Sequence, residues 1–362
     1  MSFQQTTFAR SAVKGFTIQE NLVGLPVLLD ILSRPRFHGS EGEKYMIDKY
    51  LAPLPGATFD DHGNIWVQIG DKPVTMFSAH TDTVHKKTAP NVAYKLHTSK
   101  DHMLTVKGGG VLGADCGTGI WMMLNLIANE TPGLYIFHRA EELGRQGSEA
   151  IAKDPALAAR LQGIKHCVAF DRKATTSVIT HQLGSRCCSA EFAKALGAQL
   201  SLGAPAWRED DTGSFTDSAS YTHIIPECTN LSVGYYDQHT TGESQDLPFA
   251  SWMANRLLEI DWANLPAVRD PAIIDEDDDD FWPQSWGNYT SSRRTSLYGT
   301  ADALPKNLDD EAEHELLTSL IKNFPAEFAD FLIDRRYSLA EMAEELEVTY
   351  DCDTSYLLDM LP

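Results

Sequence analysis

Five side chains of metal-binding type occur in order along the chain: His80, Asp115, Glu142, Asp171 and His239. Each follows an apolar run or a glycine-flanked loop. Met76–Ala79 leads into His80, Val111–Ala114 into Asp115, Gly133–Phe137 towards Glu141–Glu142, His166–Phe170 into Asp171, and Leu231–Tyr235 towards His239. Singly, each has a plain structural explanation. Asp115 can cap the helix that follows, Glu141–Glu142 can be a charged turn, Asp171 can pair with Arg172, and His239 is one of 12 histidines. Their joint occurrence changes the reading. Two imidazoles and three carboxylates suit a pair of divalent cations, with one carboxylate shared between them. The pair His80-x-Asp82 adds an acceptor two residues on, and a metal-bound imidazole needs its other ring nitrogen held in that way.

The elements that must position these groups follow from periodicity. Residues 17–33 read as an amphipathic helix (Ile18, Leu22, Leu25, Leu28, Leu29, Leu32) stopped near Pro35. Residues 40–51 read as a second helix, with Ser40 as N-cap and Glu43 three residues later. Strands are expected at 57–60 and 64–69 around the turn Asp61–Gly63, then at 74–79, 133–137, 166–170 and 231–235. Helices are expected at 120–127, 147–161, 189–199 and 246–260, and the stretch 85–110 is expected to be irregular. Gly108-Gly109-Gly110 has neither a following GK[ST] nor a GxGxxG entering a helix, which excludes nucleotide binding. The alternation predicts an α/β fold, a mostly parallel mixed sheet with helices on both faces. Ligands of such sheets bind beyond the carboxyl ends of the strands, where these side chains fall.

Charge divides the chain. The net charge is −21, and residues 266–362 hold 23 acidic against 7 basic residues, leaving 28 against 23 in residues 1–265. We therefore expect a catalytic domain over 1–265 and an acidic linker with a small helical C-terminal extension over 266–362. The run Asp275–Asp280 reads as a solvated linker, and 308–323, 325–334 and 338–347 as short helices. Such acidity argues against a nucleic-acid partner, and Asp351, Asp353 and Asp359 argue against a helix-turn-helix reading of Phe331–Val348. No apolar run approaches the roughly 18 residues of a membrane span, and the N-terminus lacks the pattern of a secretory signal. Six irregularly spaced cysteines without a CxxC complete the expectation of a reduced, cytoplasmic protein.

Five motifs in order carry a resemblance. They are Ser78-Ala79-His80-Thr81-Asp82-Thr83-Val84, Gly113-Ala114-Asp115-Cys116-Gly117-Thr118-Gly119, Ala140-Glu141-Glu142-Leu143-Gly144, Phe170-Asp171, and His239-Thr240-Thr241-Gly242-Glu243. Over residues 15–262 the chain resembles the co-catalytic (dizinc) zinc exopeptidases, a superfamily of aminopeptidases, carboxypeptidases and amidohydrolases. The resemblance implies two divalent ions, zinc by preference. His80 and Asp171 would hold one, Glu142 and His239 the other, and Asp115 would bridge them. Asp82 would orient His80, and Glu141 would be the general base. A cis peptide would join Asp115 to the next residue, although Cys116 stands where the family often has Asp. Only 68 positions separate Asp171 from His239, too few for an inserted lid, so the aminopeptidase-like branch without a lid domain fits better. His80–Val84 and the long 85–110 stretch resemble the lidded branch as much. Thr216–Tyr221, followed by Ile225-Pro226, resembles a segment beside the site of the lidless enzymes. Tyr221 would then hydrogen-bond the tetrahedral intermediate, or else be a core aromatic. His85 is a spare ligand ranked below His80.

The implied function is an aminopeptidase removing N-terminal residues from peptides. The enzymatic alternative is a carboxypeptidase or a deacylase of N-acyl amino acids, with Arg139, Arg145 or Arg172 binding a substrate carboxylate unless they form surface ion pairs. The non-enzyme alternative is a binding protein whose acidic tail, with Trp282 and Trp286, docks a protein partner.

Overall fold

The computed structural model describes residues 23–273 apart from 87–88, 90–91, 183 and 203–205, together with residue 322. Eight strands form the main sheet, in the order Thr58–Phe59, Ile65–Ile69, Gly133–His138, Thr75–His80, His166–Arg172, Glu227–Ser232, Ser177–Ile179 and Arg208–Asp210. The third to sixth of these run parallel, and antiparallel strands flank them. Every residue of Thr75–His80 and Gly133–His138 is buried, as expected of parallel strands covered on both faces. Alternate residues feed two separate cores. Phe77, Tyr135, Phe137 and Val168 enter one, while Met76, Leu134, Ile136 and Cys167 enter the other. The helices Leu25–Leu32 and Leu247–Leu258 pack on Ala114–Ala128, which lies against the two middle strands.

From Thr75–His80 the chain crosses first to Gly133–His138 on one side and later to His166–Arg172 on the other. The carboxyl end of Thr75–His80 is therefore a switch point where a crevice opens. His80 ends that strand, Asp171 lies near the end of its neighbour, and Glu141–Glu142 follow His138 closely.

Several elements differ from the sequence expectation. The helix expected over 147–161 divides into Gln146–Lys153 and Pro155–Ala159. Pro155 forces Asp154 into an extended conformation, and the Asp154 carboxylate caps the second helix at Ala156 and Leu157. The second helix runs Glu41–Met46 and continues as a wider turn over Ile47–Leu51. The last sheet strand is Glu227–Ser232, earlier than expected, because its buried Glu227, Thr229, Asn230 and Ser232 carry no apolar signal. The stretch 85–110 is not wholly irregular. Leu96–Thr98 and Met103–Val106 join Ser244–Asp246 and Tyr235–Tyr236 in a second sheet of four antiparallel strands.

Between Asp171 and His239 the described elements are strands of the two larger sheets, the helix Ala190–Leu200, the short turn Asp217–Tyr221 and a small hairpin of His181–Gln182 with Ser185–Arg186, so no lid domain is inserted among them. The body continues past residue 265: Arg269 donates to the carbonyls of Pro226 and Thr222, both at 2.8 Å. No helix among the described residues is long and apolar enough to cross a membrane. Apart from residue 322, the helices expected at 308–323, 325–334 and 338–347, the acidic run and Trp282 and Trp286 lie outside the described residues.

Candidate metal centre

All five expected ligands converge beyond the strand ends. Asp115 is the hub. Its Oδ1 lies 2.9 Å from His80 Nε2, and its Oδ2 lies 3.3 Å from His239 Nε2. Asp171 Oδ1 approaches the same His80 nitrogen at 3.6 Å, and Glu142 Oε1 approaches His239 Nε2 at 3.4 Å. One imidazole and one carboxylate thus stand on each side of a shared carboxylate. The cleft above them is walled by Glu141, Arg172, Lys173, Phe215 and Tyr235.

The surroundings explain why the ligands stand there. His80 Nδ1 donates to the Asp82 carbonyl at 3.1 Å, leaving Nε2 to face the cluster. The Asp82 carboxylate, 3.6 Å from Nδ1, chiefly accepts from the backbone N–H groups of Glu141 (3.0 Å) and Glu142 (3.3 Å). Asp82 therefore ties the His80 strand to the Glu141–Glu142 turn. Buried Glu43 adds a second tie: it receives Arg139 Nε and Nη2 at 2.8 and 2.9 Å and the Thr81 hydroxyl at 2.6 Å. The Asp115–Cys116 bond is cis, as the resemblance implied. Cys116 is buried, with its thiol donating to the Phe170 carbonyl. Gly119 lets the ligand helix press onto the Asp171 strand, since a Cβ there would lie 2.3 Å from the Phe170 oxygen.

Electrostatically the cluster is short of positive charge. Burial and neighbouring Asp115 push the Asp171 carboxyl up to about 8, and burial raises Glu141 and Glu142. Burial opposes ionisation of Asp115, but the facing imidazoles of His239 and His80 hold its carboxyl well below the usual range. Both imidazoles are drawn towards protonation against their burial, His80 by Cys116 and the surrounding carboxylates and His239 by Glu142 and Asp115. Glu142 Oε1 and His239 Nε2 are buried atoms without a hydrogen-bond partner. Ligand atoms of His80, Asp115 and Glu142 lie within 4.8 Å of one another, as do those of His80, Cys116 and Asp171. Orphaned donors, close spacing and missing positive charge all fit divalent cations.

Other expected residues stand elsewhere. Tyr221 is fully buried, its hydroxyl 2.7 Å from His138 Nε2, in the core rather than on the cleft wall. Tyr235, which sequence reasoning passed over, lines the cleft and donates to Asp171 Oδ1 at 3.4 Å. His85 uses both ring nitrogens, with Thr83 Oγ1 at 2.6 Å and the Val111 carbonyl at 3.0 Å, and is not a spare ligand. Arg139 is held by Glu43, and Arg145 lies over the Phe215 ring beside Ser220 and Glu149. Of the three arginines only Arg172 lines the cleft, and it pairs with Asp210. Glu43 signalled itself only as a helix-capping residue.

The chain shares its fold with solved peptidases, here in a form without a lid domain among the described residues. Among solved structures it is similar to the aminopeptidase PepT from Bacillus cereus, with a TM-score of 0.52 at 13% identity, covering 68% of this chain and 97% of that one. A tripeptidase from Staphylococcus aureus gives 0.51 at 15% identity, covering 65% and 96%. The TET1 peptidase from Pyrococcus horikoshii gives 0.51 at 13% identity, covering 65% and 98%. No protein-family model matches the chain, and no curated protein sequence matches it.

Proposed function

We propose that the protein is a two-metal aminopeptidase that removes residues from the free amino termini of peptides. The observation that carries this reading is Asp115, whose two carboxylate oxygens face one imidazole each. In this reading His80 and Asp171 hold one ion, Glu142 and His239 the other, and Asp115 both. Zinc suits such mixed nitrogen and oxygen donors. When bound, the ions would polarise the scissile carbonyl and lower the pKa of water at the site.

The remaining work falls to the chain. Glu141 lines the cleft beside the ligands and takes the proton of the attacking water, then passes it to the departing amine. Asp82 fixes the Glu141 and Glu142 backbone, so the base and its neighbouring carboxylate are held to the end of the His80 strand. Tyr235 is the aromatic hydroxyl that faces the cleft, and it takes the place we expected of Tyr221. The aminopeptidase reading gains support from the lidless body and from the engagement of Arg139 and Arg145, two of the three arginines on which a carboxylate-binding alternative depends. A reducing, cytoplasmic compartment fits the free, buried cysteines Cys116, Cys167, Cys187, Cys188 and Cys228.

Elemental analysis with turnover assays on Glu141→Gln tests the assignment. The variant is expected to retain both metals and lose turnover by about 100-fold or more. Wild-type turnover in a metal-replete variant would remove Glu141 from the mechanism.

A further inference from the structure

Glu243 is buried, and the hydrogen bonds to its carboxylate come from backbone N–H groups. It lies four residues after His239, in the turn that also carries Thr241. Its two oxygens gather the backbone N–H groups of the loop entering the Asp115 helix. Oε2 accepts from Leu112 at 2.7 Å and Gly113 at 2.9 Å, and Oε1 accepts from Ala114 at 2.8 Å and Asp115 at 3.3 Å. The loop can aim successive N–H groups at one anion because Gly113 takes a left-handed conformation, φ 69°. Arg36, fully buried, supports the far side of that residue by donating to the Gly113 carbonyl at 2.7 Å. A further bond, Gly110 N–H to the Thr241 carbonyl at 3.0 Å, joins the same two segments.

We propose that Glu243 is a positioning residue that sets the distance between Asp115 and His239. It thereby governs the half of the metal centre formed by Glu142 and His239. The inference rests on the two-metal reading above. His80 and Asp171 sit on or at the end of neighbouring strands held by the main sheet, and they keep their places without it. His239 sits on a turn that this carboxylate and the Gly110–Thr241 bond join to the Asp115 loop, and just beyond the turn Gln245 accepts from Thr118 of the Asp115 helix at 2.6 Å. In Glu243→Gln, an amide N–H₂ faces backbone N–H groups that need an acceptor, so two of the four bonds are lost. The variant therefore separates the two metal sites instead of weakening both.

The test is a zinc titration of metal-free, full-length protein against a competing chromophoric chelator, paired with amide hydrogen exchange. Wild type is expected to take two ions. Glu243→Gln is expected to take one with wild-type affinity and the second about 10–100-fold more weakly. Amides 112–115 and 239–243 should exchange faster in the variant, with strands 75–80 and 166–172 unchanged. Leu161→Ala, a truncation in the other core cluster, should lower the melting temperature without splitting the sites. That separates positioning from general stability. If Glu243→Gln does not fold, Glu243→Asp keeps the charge one methylene short of the amides and carries the same expectation. Two sites of wild-type affinity in the variant, or equal weakening of both, would overturn the proposal. Fewer than two ions in wild type would overturn the two-metal reading and this inference with it.

Discussion

Asp82 illustrates how a single side chain does more than its motif suggests. The His-x-Asp spacing implies a carboxylate orienting an imidazole, but the nearer acceptor for His80 Nδ1 is the Asp82 backbone carbonyl. The carboxylate instead fastens the Glu141 and Glu142 amides. Asp82→Asn should therefore leave the His80 tautomer intact and disturb the neighbouring turn, lowering metal affinity by about 10–100-fold together with turnover. Chelator competition measures this, and unchanged affinity would contradict it. His85 gives a prediction in pH. Burial and the nearby Arg36 charge lower its pKa to about 3, against about 6.5 for a free imidazole. Between those values the unfolded chain binds a proton that the folded one refuses. Stability from this group is thus full above about 6.5 and falls as pH drops, at about 1.4 kcal/mol per pH unit at most. The stability difference between wild type and His85→Asn, from denaturant melts, should shrink as pH falls from 7 to 4. A constant difference would contradict it. At this scale the metal-type residues stood out because each follows an apolar run or a glycine-flanked loop. Tyr221 and His85 were not separable from core or loop residues, since only their hydrogen-bond partners decide.

Elements place these residues, and their close approaches are the sensitive points. Gly119 has the Phe170 carbonyl and the Cys116 thiol where a Cβ would go, at 2.3 and 2.5 Å. Gly119→Ala must push the ligand helix away from the Asp171 strand. We expect a loss of about 1–3 kcal/mol, read as a lower denaturation midpoint, with weaker metal binding alongside it. A midpoint equal to wild type would show that the approach is looser than described. The central strands were readable as continuous apolar runs, whereas Glu227–Ser232 was displaced because its buried polar groups are satisfied by partners distant in sequence. Glu227, for example, accepts from Ser189 and Val268. The strands inside 85–110 were missed for a related reason. Leu96–Thr98 and Met103–Val106 are short and half exposed, and the second of them pairs with the distant Ser244–Asp246, so little in their own sequence marks them.

For the molecule as a whole, the alternation of strand and helix announced a mostly parallel sheet, and the order of the metal-type residues along the chain announced where its crevice opens. The contacts of residues 266–270 with the body were hidden, because the charge profile marks a boundary in composition rather than in packing. A ligand that binds only the folded chain stabilises it, by about 2.7 kcal/mol at one hundred times its dissociation constant. Stripping metal with a chelator should therefore lower the melting temperature, and zinc should restore it. An unchanged melting temperature would argue against a metal centre built into the fold. The central claim is tested most directly by mass spectrometry of a peptide mixture incubated with zinc-loaded, full-length protein. Each peptide would be supplied with free, N-acetylated and C-amidated ends. The account predicts stepwise loss of residues from free amino termini alone, indifferent to amidation and abolished by chelator. Trimming from carboxyl ends, release of acetyl groups, or no cleavage by protein shown to hold two ions would contradict it.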